Sequence, residues 1–525
     1  MFPRKPSRHS HWLLAVLCVL GVTFGMVETV QAVLENKKIS GDIIPNGTVH
    51  FFTLSPDGQH TVFVGDLRTD GKTELYSVHT TGGDRVTLST GLTGTDGVVA
   101  FLISPDSQWV IYGVGPGAIN PNQLYAVPIT GGTPIKLYQG VPGNSYGSIA
   151  RFSPDSARIL FMENFPDTNQ QVLRSVPVAG GTVRTIAAPE PWCFIDFDIT
   201  SDSAYVVYNI EEAGCDDKGL FRSSLTGTGK LTLDPNYAEQ FQVSPDGDFV
   251  IYTKGAPAEL YSLPIGGGTP TKLNGTLMGA GYVHPDFKIT PDNQYVIYRS
   301  VELLADMITL YKAPLDGSSS RICLTPWGMA TDGNVISFKI TPNSLGVVYL
   351  ADQLVNERFD LFSVLTAGSS YYPLSPGMIP NGDVTTYEIT PNNLGVIFIA
   401  DGRSDEVYEL FGVLINGTGI TALNAAHPEF ADVEEFRISP DSQFVVYRAP
   451  TEETSPLNLL AVPSWGGTPL QINPEPVFGG YIRNYYAITP DSKGVVYRAD
   501  QETDDQVELF ITYDFLTVYM PLMVK

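Results

Sequence analysis

The stretch Phe436-Arg437-Ile438-Ser439-Pro440-Asp441-Ser442-Gln443-Phe444-Val445-Val446-Tyr447 decides the fold. An alternating run enters Ser-Pro-Asp and a second apolar run leaves it. Proline presets φ for the first corner of a tight turn, and the aspartate caps that turn with its side chain. The segment therefore predicts two antiparallel strands joined by a hairpin. The tripeptide recurs as Ser55-Pro56-Asp57, Ser104-Pro105-Asp106, Ser153-Pro154-Asp155, Ser244-Pro245-Asp246, Thr290-Pro291-Asp292 and Thr489-Pro490-Asp491. Weaker copies are Thr200-Ser201-Asp202, Thr341-Pro342-Asn343 and Thr390-Pro391-Asn392. Successive third positions lie 49, 49, 47, 44, 46, 51, 49, 49 and 50 residues apart, so the chain holds ten copies of one unit.

Each copy continues in the same order. A third strand carries a Leu-aromatic pair, as in Leu124-Tyr125, and a Gly-Gly turn follows (Gly82-Gly83, Gly131-Gly132, Gly180-Gly181, Gly267-Gly268, Gly466-Gly467). A short fourth strand ends the unit at Leu88, Leu137, Leu273 or Leu423. From the aromatic ending the second strand to the Leu of the third is 12 residues in nine units and 8 in the fifth, Tyr252 to Leu260, which marks these hairpins as structural parts. Four short antiparallel strands repeated every 40 to 50 residues predict an all-β propeller of ten four-stranded blades. The Ser-Pro-Asp-Gly turn, the Val-Val-Tyr strand, the Leu-Tyr strand and the Gly-Gly turn resemble the propeller repeats of the TolB type. That resemblance spans nearly all of the chain after residue 46 and implies the fold. TolB itself has an additional N-terminal domain and fewer blades, so a role in a Tol-type envelope complex is not carried over.

One ten-bladed ring is the preferred arrangement, because no linker or composition shift interrupts the units. Two five-bladed rings parting near residues 274–280 are the rival. The repeats occupy residues 47–525 in phase with complete units, behind a lead-in of residues 33–46. Closure is expected from contact between the first and last blades, without a swapped strand.

Residues 1–32 read as a secretory signal: Arg4, Lys5 and Arg8 precede the apolar run Trp12 to Phe24, and Val30-Gln31-Ala32 suits cleavage. A secreted or periplasmic, cell-envelope location is expected, with no membrane insertion by later segments. The formal charge is −25, and loss of the signal leaves 28 basic against 55 acidic residues, or −27. So acidic a surface repels nucleic-acid phosphates, leaving cations, basic proteins and neutral glycans as partners. Cys193 and Cys215 share one unit and are a candidate disulfide in an oxidising compartment; Cys323 has no obvious mate.

In a propeller the second-to-third-strand loops and the blade-to-blade connections share one face, and here that face is acidic. Asp66 with Glu74, Asp352 with Asp360, Asp401 with Glu409, and Asp500 with Glu508 stand eight residues apart. Asp70, Asp405, Asp504 and Asp505 add charge in the same loops, and Glu211, Glu212, Asp216 and Asp217 crowd the fourth unit. Two readings compete. Hard oxygen ligands on short loops suit calcium, with Asp66, Glu74, Asp352, Asp360, Asp401, Asp405, Glu409, Asp500, Asp504 and Glu508 as candidate ligands. Alternatively the acids are solvated hairpin ends that discourage edge aggregation. No stretch has EF-hand spacing, and no cofactor besides calcium is implied.

Catalytic patterns are sparse. Gly143-Asn144-Ser145-Tyr146-Gly147 has the letters of a nucleophile elbow but no strand-to-helix setting. His50 and His60 flank one turn, whereas His79, His284 and His427 are expected apart from them. Asn46-Gly47-Thr48, Asn274-Gly275-Thr276 and Asn416-Gly417-Thr418 fit the glycosylation sequon and also suit Asn-Gly turns. The functional expectation is an exported, monomeric, non-catalytic propeller binding a protein or glycan through its acidic loop face, with Trp192, Trp327 and Tyr481 as contact candidates. The alternatives are a carbohydrate-active enzyme using paired carboxylates and a calcium-stabilised cell-surface structural protein.

Overall fold

The computed structural model describes residues 34–116, 121–140, 145–188, 193–211, 218–236, 238–302, 307–325, 333–368, 370–424, 432–451 and 456–513. Among the described residues there are ten four-stranded antiparallel sheets and no helix. In the first blade the strands are Val49–Leu54, His60–Gly65, Glu74–His79 and Val86–Thr87, hydrogen-bonded in that order. We label these positions A to D. Gln242 Nε2 donates to the Phe287 carbonyl at 3.0 Å, Lys288 Nζ to that of Phe338 at 3.2 Å, and Lys339 Nζ to that of Tyr387 at 2.7 Å. Each bond crosses between the A segments of neighbouring blades, so the A strands gather at the ring axis and the short D strands lie outside.

The sequence signature is a packing signature. In eight blades the aromatic ending strand B stacks on the aromatic of strand C, as in Phe63 with Tyr76 and Tyr497 with Phe510, with centroids 5.3–5.9 Å apart. Such cross-strand pairs stabilise a pleated sheet by ~0.2–1 kcal/mol each. Apolar clusters then join each blade to the next. The fifth blade's Ile251 and Leu260 pack with Val296 and Tyr298 of the sixth. The tenth blade's Val496, Leu509 and Ile511 pack with Phe52, Phe63 and Tyr76 of the first. The fifth blade thus meets the sixth, and the tenth meets the first, which makes one ring and excludes the two five-bladed rings.

Closure differs from expectation. Strand Glu35–Lys38 pairs antiparallel with Glu508–Tyr513 and becomes the D strand of the tenth blade, so the two ends of the repeat array share one sheet. Asn36 Nδ2 donates to Tyr497 Oη and Thr512 Oγ1, Lys38 Nζ reaches Glu508 at 3.0 Å, and Ile39 is buried.

The Ser-Pro-Asp turns do more than reverse the chain. Ser55 Oγ donates to Asp57 Oδ1 and accepts from the His60 amide, while Asp57 Oδ1 also accepts from the Gln59 amide. The residue after the Asp is left-handed, with φ 61° at Ser107 and 59° at Asn293. Its side chain accepts a hydrogen bond from the turn amide of the preceding blade. The bonds run Asp57 to Ser107, Asp106 to Ser156, Asp155 to Ser203, Asp246 to Asn293, Asp292 to Ser344, Asn343 to Asn393, Asn392 to Ser442, and Asp441 to Ser492. Eight links of a belt result. The two remaining junctions carry Gly58 and Gly247, which have no side chain to accept.

Opposite outcomes are expected from filling these two gaps. A β-carbon on Gly247 would meet Thr200 Cβ at an ordinary 3.5 Å, so Gly247→Asn should complete a link worth ~0.5–1.5 kcal/mol, of which the strain of a side chain at φ 82° leaves a small net gain in stability. A β-carbon on Gly58 would fall 2.7 Å from Pro490 Cδ, so Gly58→Asn should destabilise. Chemical denaturation of both variants checks the pair of signs.

Candidate functional site: the loop face

The first acid of each predicted pair builds its loop. In the first blade the Thr48 amide donates to Asp66 Oδ1 at 2.7 Å and the Gly71 amide to Oδ2 at 3.1 Å. Asp352 accepts from the Asn334 and Glu357 amides, and Asp401 from the Asp383 and Glu406 amides. The fifth residue of each loop is left-handed (Gly71 φ 70°, Glu357 φ 62°, Glu406 φ 60°), which aims its N–H back at the carboxylate. Aspartate suits the position because two oxygens on a short stem accept from two strands' worth of backbone at once. The carboxylate ties the B–C loop to the incoming blade connection.

The second acid is held by a cation. Arg68 binds both oxygens of Glu74, which also accepts from Tyr76 Oη at 2.8 Å. Arg403 binds Glu409 in the same way, Arg358 binds Asp360, and Lys38 binds Glu508. Burial pushes the Glu74 carboxyl up, but Arg68 and Tyr76 outweigh it and hold the group below its ordinary value. At Asp360 and Glu508 burial wins and both are raised, despite Arg358 and Lys38. Asp405 and Asp70 are exposed.

The tenth blade departs from this pattern. Asp500 accepts from the Tyr481 amide at 2.8 Å and from Arg483 at 3.0 Å. Asp504 and Asp505 are exposed, and one oxygen from each of Asp500, Asp504 and Asp505 lies within 4.8 Å of the others. Of the predicted ligands, Asp500 and Asp504 are brought together; the other pairs are divided between amides and cations. Beside this group the connection Val477-Phe478-Gly479-Gly480-Tyr481 stands out: Phe478 is fully exposed at 102% and Tyr481 is 42% exposed. The Arg483 guanidinium lies over the Tyr481 ring at 3.9 Å, and a β-carbon on Gly479 would touch Asp504 Oδ2 at 2.7 Å. Phe478 escaped sequence reasoning, although an aromatic between Pro-rich and Gly-Gly segments was the signal for it.

The inner wall carries ion pairs. Arg151 meets Asp198 at 3.4 Å, Lys339 meets Glu388 at 2.6 Å, and Arg299 meets Asp286 at 2.9 Å. Arg448 binds Glu434. His284 Nδ1 lies 2.9 Å from Asp286 Oδ1.

The remaining candidates are dispersed. His60 faces His79 across strands B and C at 5.9 Å, so the close pair is these two, within one blade; His50 instead sits 3.7 Å from Asp66. Ser145 begins the A strand Ser145–Phe152 of the third blade, so no strand-to-helix elbow surrounds it. Cys193 is buried and disulfide-bonded, and Cys323 is free with its thiol pushed up by burial. Cys215, Trp192, Trp327, His427, Glu212, Asp216 and Asp217 lie outside the described residues.

No protein-family model matches the sequence, and no curated protein does. Solved structures are similar. An oligogalacturonate lyase in complex with manganese is 14% identical, with 63% of this chain and 96% of that one covered at a TM-score of 0.35. A eukaryotic initiation factor is 12% identical over 75% and 92% at 0.47. A prolyl endopeptidase is 12% identical over 69% and 55% at 0.37. The likeness is one of fold, and none of the chemistry of those proteins transfers at such identity.

Proposed function

We propose that the chain is an exported binding scaffold of TolB-like repeats that takes a protein or glycan ligand on its acidic loop face. The observation that carries this reading is the tenth-blade connection, where Phe478 and Tyr481 are displayed beside Asp504 and Asp505 on loops stiffened by Asp500 and Arg483. Exposed aromatics next to charge on a rigid rim are the groups from which contact hot spots are made. The competing reading, hydrolysis by two carboxylates, needs a pair free to face one substrate. The inner-wall carboxylates Asp198, Asp286, Glu388 and Glu434 each lie against a cation, which supports binding over hydrolysis.

The test is a crosslinking pull-down from the protein's own envelope or medium, with a glycan array in parallel. A saturable ligand that is lost with Phe478→Ala plus Tyr481→Ala is the expected result. Retention by that variant would overturn the site. Calcium is a second reading at the same place, motivated by the three clustered carboxylates. Melting with calcium and with EDTA should then differ in the parent chain and not in Asp504→Asn plus Asp505→Asn.

A further inference from the structure

The opposite face, formed by the A–B and C–D hairpin tips, carries an uncharged apolar island on blades seven and eight. After the left-handed turn residue, six blades place Gln59, Gln108, Asp248, Gln294, Gln443 or Lys493, and two place Ala157 or Ala204. The seventh and eighth place Leu345 and Leu394, which are 63% and 56% exposed. At the end of strand C they carry exposed Leu365 and Leu414, where five other blades have proline. Their turns are also the two with Asn343 and Asn392 in place of aspartate.

Between these blades lies a groove of about 300 Å³, lined by Leu345, Gly346, Val364, Leu365, Tyr372 and Ile415. The first B-strand position explains it. Seven blades put a large side chain there: His60, Trp109, Arg158, Tyr205, Phe249, Tyr295 and Phe444. The other three have Gly346, Gly395 and Gly494. Over Gly395 sits the indole of Trp465, from the next blade's C–D hairpin, 2.7 Å at Cζ3 from where a β-carbon would be. Over Gly494 sits the Tyr513 ring, 3.2 Å from that point. At Gly346 the nearest atoms are instead Thr341 Cγ2 at 3.2 Å and the Val364 carbonyl oxygen at 3.6 Å, and no ring comes as close. The hairpin residue matching Trp465 is Asn416, whose Oδ1 is turned into its own turn to accept from Thr418.

We propose that the groove over Gly346 is a docking socket for one aromatic side chain, tryptophan by analogy with its neighbour, carried on a basic peptide segment of a protein partner. The charge of that segment follows from the surroundings. None of the groove's lining residues is charged. Asp292 adjoins it, with its amide bonded to Ser344 Oγ at 3.0 Å, and the exposed Asp316 and Asp441 lie on the flanking blades of a chain of charge −25. This site lies on the face opposite the tenth-blade connection and stands independently of the function proposed above.

The probe is a fluorescein-labelled peptide, Lys-Gly-Trp-Gly-Lys, followed by polarisation against the full chain. Saturable binding is expected at one site per chain, weakened about tenfold or more when the peptide's Trp becomes Ala and markedly when its lysines become glutamates. Gly346→Phe, which restores the pattern of the ninth blade, should abolish binding with the melting temperature kept. Trp465→Gly should open a second socket over Gly395 and raise the stoichiometry to two, a gain that misfolding does not produce. No binding to the parent chain, undiminished binding to Gly346→Phe, or a stoichiometry fixed at one in Trp465→Gly overturns the socket. A concentration-dependent dimer that Gly346→Phe returns to monomer would instead make the occupant a second copy and overturn the peptide assignment.

Discussion

A chain that begins at residue 41 will fail to close its ring. The strand Glu35–Lys38 is only four residues long, yet four kinds of interaction leave with it. The outer edge of Glu508–Tyr513 loses its ladder partner. Tyr497 and Thr512 lose Asn36, and the buried Glu508 loses Lys38. Ile39, 1% exposed, leaves the cluster that joins the tenth blade to the first. Burying an isoleucine is worth ~1.5–3 kcal/mol, and each side-chain hydrogen bond lost from Asn36 and Lys38 a further ~0.5–1.5 kcal/mol. A loss of about 5 kcal/mol or more is expected, concentrated in one blade. Limited proteolysis should cut the tenth blade of the truncated chain rapidly, and a synthetic peptide of residues 33–42 added in trans should restore protection. If truncation left protease resistance and denaturation midpoint unchanged, strand exchange would not be what closes the ring.

Arg68→Met is expected to cost about 2–4 kcal/mol at pH 7 and progressively less as the pH falls below the ordinary glutamate range. Glu74 is 6% exposed and keeps its charge through Arg68 and Tyr76. Without the guanidinium a buried carboxylate is left under-compensated. The half-exposed Arg68 side chain shares its field with water, which puts the effect below that of a fully buried pair. The sign follows from linkage. A carboxyl held below its ordinary value contributes stability that is present above the unfolded value, ~4.3 for glutamate, and is lost as the pH falls through the folded one. Removing Arg68 abolishes that contribution, so parent and variant converge in acid. Guanidinium titrations at pH 7 and pH 3, with Glu74→Gln added to Arg68→Met as the rescue, test the argument. Equal destabilisation at pH 7 and pH 3 would assign the loss to packing of the arginine stem.

The blades were legible because hairpin chemistry is local. Ser-Pro-Asp demands its turn wherever it stands, and the Leu-aromatic pair on strand C answers the aromatic ending strand B, as Phe362 answers Tyr349. The closing strand was not legible, because Glu-Asn-Lys-Lys has no apolar alternation and becomes a strand only through its partner. An indirect sign existed: no glycine follows Leu509-Phe510, whereas each of the other nine units has a glycine turn after its third strand. The eight-residue spacing of the loop acids was equally plain, but spacing does not distinguish a carboxylate that collects amides from one that would collect a cation. Only the geometry around Asp66 and Asp401 separates the two uses. The Gly346 groove is visible only in register, as a missing side chain whose counterparts are supplied elsewhere by Trp465 and Tyr513.

The interrupted belt gives the ring a mechanical character. A closed chain of stiff links cannot fold about a single break, since every other joint must move with it. Two breaks suffice. Here they fall between blades four and five, at Gly247, and between blades ten and one, at Gly58. They divide the circle into arcs of four and six blades, each knitted along one rim by its own hydrogen bonds. At those two glycines the rim lacks the bond that braces the other eight junctions, and at Gly58 the brace is supplied instead by the seam where the chain's two ends are sewn together.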